Sequence, residues 1–167
     1  MNFDESIELS LRTWYPEDHP LHFNPHHPLG KLIGELGELL DDYMKSLYKP
    51  GYEFEPLDEL GDIWYYLRIL AYQNKYKLTA RGNLSDIDTE YIIVDCLSEL
   101  AVWFTRQDAY TFKLFLMNKT FASIIEIGKR YNITIDQLTE SNWQKLKPGS
   151  ERGDEWAKAR VGADDTR

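Results

Sequence analysis

Glu35-Leu-Gly-Glu38 and Glu59-Leu-Gly-Asp62 are the two segments that decide the fold of this chain. Each places two carboxylates three residues apart in a Leu-rich context that is typical of a helix. Because residues at i and i+3 lie on the same helix face, each pair directs its oxygen atoms toward one place. At about 100° per residue, the apolar residues of each segment fall in the sector next to the acids. When two such apolar seams pack together, the bordering carboxylates become half buried and converge.

Converging carboxylates repel one another unless a cation lies among them. Oxygen-only ligands at this charge density suit Mg²⁺, with Mn²⁺ as the alternative. A single Glu-x-x-Glu pair usually belongs to a solvated helix face, but two pairs with the same phase in consecutive helices favour a metal site. Gly37 and Gly61 strengthen this interpretation, because a glycine inside a helix costs about 1 kcal/mol and requires a reason such as close approach of a backbone or a ligand. The predicted metal ligands are Glu35, Glu38, Glu59 and Asp62.

The two acidic pairs lie at unequal distances from the turn that joins their helices. Glu38 is further from the turn than Glu59, so a tight antiparallel hairpin would offset the pairs by roughly 10 Å along the helix axis. The loop of residues 48–55 is long enough to let the second helix slide or tilt. Packing, not sequence, decides whether the pairs become level.

Residues 27–40 and 58–67 resemble the all-α NTP pyrophosphatases of MazG type. The hallmark of that family is Glu-x-x-Glu, a spacer of variable length, and Glu-x-x-Asp. Ser6–Thr13 resembles the first helix of the family, and Ser141–Lys147 resembles its C-terminal Asn-x-x-Lys-Leu signature. The strong match covers about residues 27–72. The resemblance implies hydrolysis of a nucleoside triphosphate between its α- and β-phosphates, which gives a monophosphate and pyrophosphate.

The resemblance also implies roles for the candidate site residues. The four acids would ligate Mg²⁺, and one of them would hold the attacking water as a base. Lys45 shares the acidic helix face and is expected to bind the polyphosphate, although an ion pair within the helix, with Asp41 or Asp42, is the alternative role. The C-terminal match adds further substrate-binding residues, although Pro148-Gly-Ser interrupts the usual run before the last of them. These residues are Asn142, Lys145 and Arg152.

Two functions from different classes fit these residues. The first is a Mg²⁺-dependent pyrophosphohydrolase that attacks the α-phosphate of an NTP or dNTP with a metal-activated water. The second is a catalytically silent helical module that binds a nucleotide or a protein partner. The residues do not distinguish among bases or sugars. Since related enzymes associate through their helices, the resemblance also implies a homodimer or homotetramer.

Composition favours a compact intracellular enzyme. The 167 residues suit one domain, and a hydrophobic content of 43% argues against disorder. A net charge of −9 disfavours a nucleic-acid or anionic-membrane surface. The single cysteine, Cys96, cannot form an intramolecular disulfide and fits a reducing compartment. With no signal-peptide pattern and no apolar run of the length of a membrane span, a cytoplasmic location is expected.

Hydrophobic periodicity predicts an all-α bundle of five to six helices around the acidic hairpin. Residues 1–149 form the expected domain, and the charged residues 150–167 are expected to be a flexible tail. The predicted N-cap of the fourth helix is Ser85 or Asp86. The predicted helices cover about residues 4–14, 29–47, 56–77, 87–107 and 109–131, and a short last helix begins after Thr134 and ends at Pro148.

Three features have alternative interpretations. Asp95-x-x-x-Glu99 is either a worn copy of the first acidic helix, in a degenerate internal repeat, or part of an ordinary amphipathic pair. The histidines of residues 19–27 have spacing that permits zinc, but three prolines favour an irregular loop beside the site; these histidines are His19, His22, His26 and His27. Nearby aromatic residues could stack on a base or pack in the core; these are Trp14, Tyr15 and Phe23.

Overall fold

The structure, a computed structural model, describes residues 2–106 and 110–162, and all regular structure within them is helical. This confirms the predicted all-α class, with one more helix than predicted. None of the helices in this part of the chain has the length and apolar character that a membrane span requires. The helices are α1 (Phe3–Leu11), α2 (His26–Tyr48), α3 (Leu57–Gln73), α4 (Thr89–Thr105), α5 (Tyr110–Arg130), α6 (Ile135–Leu146) and α7 (Glu151–Gly162).

Helix α3 is the centre of the bundle. It packs against α1, α2, α5 and α6, and its residues 63–71 are all buried. An apolar helix can be buried on every side only when neighbours surround it. Arg68 is the one charged side chain within this run; its Nη1 donates to the Ser6 carbonyl at 2.7 Å and its Nε to the Trp64 carbonyl at 3.4 Å. These bonds tie α1 to α3.

Helices α2 and α3 form the predicted hairpin, and α4 and α5 form a second pair that packs on it, with α4 against α2 and α5 against α3. One side of α2 is buried at intervals of three and four residues, which is the spacing of a core-facing helix. The buried apolar residues on this side are Leu29, Leu32, Leu36 and Leu39.

Capping residues set the helix boundaries. Asn2 and Thr134 form capping boxes at the starts of α1 and α6. The prediction of Ser85 or Asp86 as the N-cap of α4 is wrong, because the N-cap is Asp88. Ser85 instead donates from its backbone and hydroxyl to the side chain of Asn83, within the preceding loop.

The segment predicted as a tail contains α7, which is a correction to the sequence analysis. Gly153 lets this helix follow α6 closely, because a Cβ there would lie 2.3 Å from the Lys147 carbonyl oxygen and 2.5 Å from that of Leu146. Trp156 packs against the core, with its ring 6.2 Å from that of Tyr65. Because the segment is highly charged, its sequence did not predict a helix. The helix packs on the rest of the protein through Gly153 and Trp156. Residues 163–167 of the predicted tail lie outside the described residues.

Candidate functional site

The acidic pairs of α2 and α3 are level with each other. Glu38 and Glu59 line the same open groove, of about 380 Å³, together with Lys45. One helical turn away, the charge of Asp62 acts on Glu35. The two antiparallel helices are therefore shifted along each other, so that the offset of the acidic pairs expected for a tight hairpin is absent. The loop between Tyr48 and Leu57 is long enough to allow this shift.

Glu35 is the most perturbed acid of the hairpin. Burial raises the pKa of its half-buried carboxyl to about 7, and the negative charges of Asp62 and Glu38 act in the same direction. The positive charges of Lys145 and Arg152 oppose this increase. A carboxyl group with a pKa near neutrality exchanges a proton in the pH range in which most enzymes act.

Glu59 has a similar environment at the other end of the site. Burial raises its pKa, and the charges of Asp42 and Asp58 raise it further, whereas a hydrogen bond from a backbone N–H at the start of α3 lowers it. Asp42 also accepts a hydrogen bond from the Tyr52 hydroxyl. Negative charge therefore extends along the groove from α2 into the first turn of α3.

Asp62 connects the hairpin to α6. Asn142 Nδ2 donates to Asp62 Oδ1 at 2.9 Å, and Lys145 Nζ donates to Asp62 Oδ2 at 2.8 Å. Lys145 Nζ also lies 3.8 Å from Asp58 Oδ1. The structure thus brings two of the predicted substrate-binding residues to the acidic hairpin, where they bind a carboxylate.

The two remaining predicted substrate-binding residues have different surroundings. Lys45 is exposed and forms an ion pair with Asp41 at 2.6 Å, which is the alternative role considered for it. Arg152 lies in the first turn of α7, close enough for its charge to lower the pKa values of Glu35 and Tyr66. Helix α7 therefore brings Arg152 to the site despite the interruption by Pro148-Gly-Ser.

The geometry does not form a metal site outright. Across residues 2–106 and 110–162, no three Asp, Glu, His or Cys side chains are grouped closely enough to hold an ion. Both oxygens of Asp62 are bound by α6 residues. The donor chemistry still fits Mg²⁺, because the acids offer only oxygen ligands. A cation beside Glu35 would also favour its charged form, which its surroundings disfavour.

Three residues of the site were not predicted to bind metal or substrate. Asp42 and Asp58 add negative charge beside Glu59. Tyr66 is buried next to Glu35 and Asp62, and its pKa is raised by burial and then by the charges of Tyr65, Glu35 and Asp62. The sequence contains a signal for Tyr66, since it lies four residues after Asp62 and shares its helix face.

No family model, curated protein or solved structure matches the chain. The resemblance to the MazG-type pyrophosphatases therefore depends on the motifs themselves.

The histidine-containing loop is held by hydrogen bonds. His22 is buried, with Nδ1 2.6 Å from the Tyr15 carbonyl oxygen and Nε2 3.0 Å from the Tyr72 hydroxyl. Trp14 is also buried and donates to the His22 carbonyl at 3.2 Å. Phe23 is exposed and stacks on Tyr72. These contacts favour a loop that is anchored to α3 over a zinc site, and they place Trp14 in the core.

The second helix pair carries its own counter-ion. Lys119 Nζ of α5 lies 2.5 Å from Asp95 Oδ2 and 3.0 Å from Glu99 Oε1 of α4. One ammonium group thus binds both of the acids that resembled a worn copy of the first site. This arrangement fits an amphipathic pair that completes the bundle, and it leaves the question of an ancestral duplication open.

Proposed function

We propose that this protein is a Mg²⁺-dependent nucleoside triphosphate pyrophosphohydrolase that converts an NTP or dNTP to the monophosphate and pyrophosphate. One observation supports this most directly: the two acidic pairs on facing helices lie at the same height, and the pKa of Glu35, a member of the first pair, is raised to about 7. The resemblance to the MazG-type enzymes supplies the reaction. A nucleotide-pool enzyme of this kind would act in the cytoplasm, as a homodimer or homotetramer.

In this proposal the metal ligands are the four predicted acids, Glu35, Glu38, Glu59 and Asp62. Bound Mg²⁺ supplies positive charge for the phosphates and lowers the pKa of a coordinated water. Glu35 would hold the attacking water and accept its proton; burial raises its pKa to about 7 without metal, and a bound cation would lower that pKa. The water oxygen bonds to the α-phosphorus, the bond from the α-phosphorus to the bridging oxygen breaks, and pyrophosphate leaves.

The cations around the hairpin would bind the polyphosphate. Lys45 lines the groove that contains Glu38 and Glu59. The positive charges of Lys145 and Arg152 lower the pKa of Glu35, so both cations lie near the first acidic pair. Lys145 and Asn142 would be free to bind phosphate oxygens if a cation at the hairpin replaced them as the partner of Asp62. The hydrogen bonds of these α6 residues to Asp62 would then exist only before substrate binds.

One observation favours the silent binding module as the second candidate. Lys145 neutralises Asp62 directly, and its Nζ lies 2.8 Å from Oδ2. A lysine that permanently replaced the metal would leave a helical bundle with a polar groove and no catalysis. The two candidates therefore differ in whether Lys145 leaves Asp62 when metal and nucleotide are present.

A nucleotide panel with Mg²⁺ separates these candidates. We expect release of pyrophosphate and a nucleoside monophosphate, abolished by EDTA and nearly abolished in Glu38→Gln. Release of orthophosphate and a diphosphate would show cleavage at the γ-phosphate and contradict the proposal. Calorimetric binding of a nucleotide without turnover of any member of the panel would establish the silent module instead.

A further inference from the structure

A groove of about 340 Å³ lies at the opposite end of α3 from the acidic pairs. Glu59 is in the first turn of α3 and Tyr72 is in its last, so the groove is roughly 20 Å from the hairpin acids along the helix axis. It lies between the first two turns of α1 and the end of α3, and Phe23 of the histidine-containing loop also lines it. We call it the α1–α3 groove.

The aromatic side chains of the α1–α3 groove are held in place. The Phe23 ring stacks on the Tyr72 ring, with centroids 5.8 Å apart and planes inclined by 18°. The Tyr72 hydroxyl lies 3.0 Å from His22 Nε2, and the Tyr76 hydroxyl accepts a hydrogen bond from Asn118 Nδ2 at 2.6 Å. Phe23 is nevertheless 57% exposed. A flat aromatic surface on a fixed support is therefore open to solvent.

Positive charge is concentrated at this end of α3. Lys75 and Lys77 line the groove, and both are exposed. Within the described part of the chain, neither ammonium group has a carboxylate at ion-pair distance. Residues 63–85 contain four Lys or Arg side chains and no Asp or Glu, although the whole chain has 28 acidic residues. The groove can therefore attract an anion locally in a protein that is acidic overall.

Lys75 occupies a backbone position at which glycine or asparagine is usual. It directly follows Asn74, the C-cap of α3, and its φ of 50° lies in the left-handed region. A residue with a Cβ pays about 1–2 kcal/mol for this conformation, and such strain is typical of functional positions. The last carbonyls of α3 accept hydrogen bonds from the backbone N–H groups of residues 74–76. They are therefore not left free to repel an anion beside Lys75.

We propose that the α1–α3 groove binds a mononucleotide, with its base stacked on Phe23 and its phosphate bound by Lys75 and Lys77. Bases stack readily on aromatic side chains, and lysine ammonium groups bind phosphate oxygens as compact charges. Asp4 also lines the groove, and its carboxylate accepts hydrogen bonds from ribose hydroxyls or from an exocyclic amine of the base. A flat apolar surface, two cations and one acceptor together complement the parts of a nucleotide.

The size of the groove favours one nucleotide over a nucleic acid. Sites for small molecules have volumes of about 300–1,000 Å³, and this groove, at about 340 Å³, is near the lower end of that range. A single strand of nucleic acid requires a basic track with several stacking positions, and the net charge of −9 opposes a polyanion outside the groove. An acidic peptide would use the lysines but would leave the Phe23 ring without a stacked partner.

This inference does not depend on the proposed function. The α1–α3 groove shares no lining residue with the groove beside Glu38, and binding is measured in EDTA, where Mg²⁺-dependent hydrolysis does not occur. A protein that binds the mononucleotide here but hydrolyses no nucleotide would contradict the proposed function alone. An active enzyme that binds no mononucleotide in EDTA would contradict the groove alone.

Isothermal titration calorimetry of the full chain with adenosine monophosphate in EDTA tests the site. We expect one molecule to bind per chain. Phe23→Leu keeps an apolar side chain but has no aromatic face, so it should raise the dissociation constant about 10-fold or more. Phe23→Trp should bind at least as tightly as the wild type. Absence of binding at millimolar concentration, or equal affinities of Phe23→Leu and the wild type, would overturn the proposal.

Lys75→Gln and Lys45→Gln are a matched pair that locates the bound nucleotide. Each variant removes one exposed ammonium group, and Lys45 lines the groove beside Glu38. Lys75→Gln should weaken binding of adenosine monophosphate about 10-fold, because the phosphate loses a charged donor, whereas Lys45→Gln should leave it unchanged. The reverse pattern, or equal effects, would overturn the proposal. Melting curves confirm that both variants are folded.

The separate parts of the nucleotide test the class of ligand. Adenosine and inorganic phosphate should each bind at least about 10-fold more weakly than adenosine monophosphate, since each uses only part of the groove. Phosphate that binds as tightly as adenosine monophosphate would show an anion site without a place for the base. An adenine oligonucleotide that binds more tightly would show a nucleic-acid surface. Either result would overturn the assignment to a mononucleotide.

Discussion

The four acids of the hairpin differ most in what surrounds each residue. Glu38 is exposed in the groove, whereas Asp62 is held by two hydrogen-bond donors from α6. Glu35 has neighbouring negative charges and no hydrogen-bond donor of its own among the described contacts. Four side chains of one chemical type therefore give three different electrostatic environments.

Loss of a single hairpin charge should abolish most of the activity. Glu38→Gln and Asp62→Asn each remove one metal-binding charge and keep the shape of the side chain, so we expect pyrophosphate release to fall by about 10²-fold or more. Without metal, Glu38→Gln should keep or raise the melting temperature because it relieves repulsion. Asp62→Asn should lower it, because Lys145 loses its ionised partner.

Acids of the second helix pair provide the control for this comparison. Asp95→Asn and Glu99→Gln should leave turnover nearly unchanged, since their counter-ion is Lys119. Glu99→Gln should lower the melting temperature, because it weakens that ion pair. Equal turnover by Glu38→Gln and the wild type would show that the hairpin is not the catalytic site.

The pKa of Glu35 predicts a specific pH dependence of stability without metal. In the folded protein this pKa is about 7, against an ordinary value of 4.5, so the folded state binds the proton more tightly than the unfolded chain. Between about pH 4.5 and 7, the free energy of unfolding should therefore decrease as the pH rises. Melting curves in EDTA at successive pH values check this, and Glu35→Gln should remove that part of the slope. Parallel pH profiles of the two proteins would contradict the raised pKa.

At the scale of helices, glycines decide how closely the elements approach. At Gly61 the backbone of α6 is a neighbour, but a Cβ there would lie 3.4 Å from the Leu138 carbonyl oxygen, which is an ordinary van der Waals distance, so the expected need for this glycine stays a prediction. The expectation of a neighbouring backbone does not hold for Gly37, where a Cβ would meet no atom within 4 Å. Gly37 instead lines the open groove beside Glu38, so a bound ligand remains the predicted reason for this glycine.

Alanine at two helical glycines should have opposite effects. Gly37→Ala should raise the free energy of unfolding by up to about 1 kcal/mol, through helix propensity alone. Gly128→Ala should lower it by about 1–3 kcal/mol, because the new Cβ would lie 2.7 Å from the backbone oxygen of Ile133. Urea denaturation measures both changes. If the groove binds nucleotide, Gly37→Ala should also raise KM, and an unchanged KM would place the ligand elsewhere.

For the whole molecule, metal binding and folding should be linked. A ligand that binds only the folded state stabilises it by about 2.7 kcal/mol at 100 times its dissociation constant. Added Mg²⁺ should therefore raise the melting temperature of the wild type by several degrees. Glu38→Gln and Asp62→Asn should respond less, and Asp95→Asn should respond as the wild type does. Equal responses of all four proteins to Mg²⁺ would show that the ion does not bind at the hairpin.

The amino-acid sequence by itself determined the positions of most helices and the helix face on which the acids of the hairpin lie. The i,i+3 spacing of Glu35 and Glu38 and the apolar stripe beside them are local properties, and local periodicity is sufficient to predict them. Six helices lie close to their predicted positions for the same reason. Helix α7 was missed because Trp156, which packs against the core, lies beside the Tyr65 ring of a distant element.

Only the tertiary structure decided how these helices meet. The level register of Glu38 and Glu59 depends on packing across the hairpin. The attachment of Lys145 to Asp62 joins residues that are far apart in the chain. The pKa of Glu35 depends on burial and on charges from three other helix segments. Such quantities arise from contacts between elements, and a pattern along one element contains no measure of them.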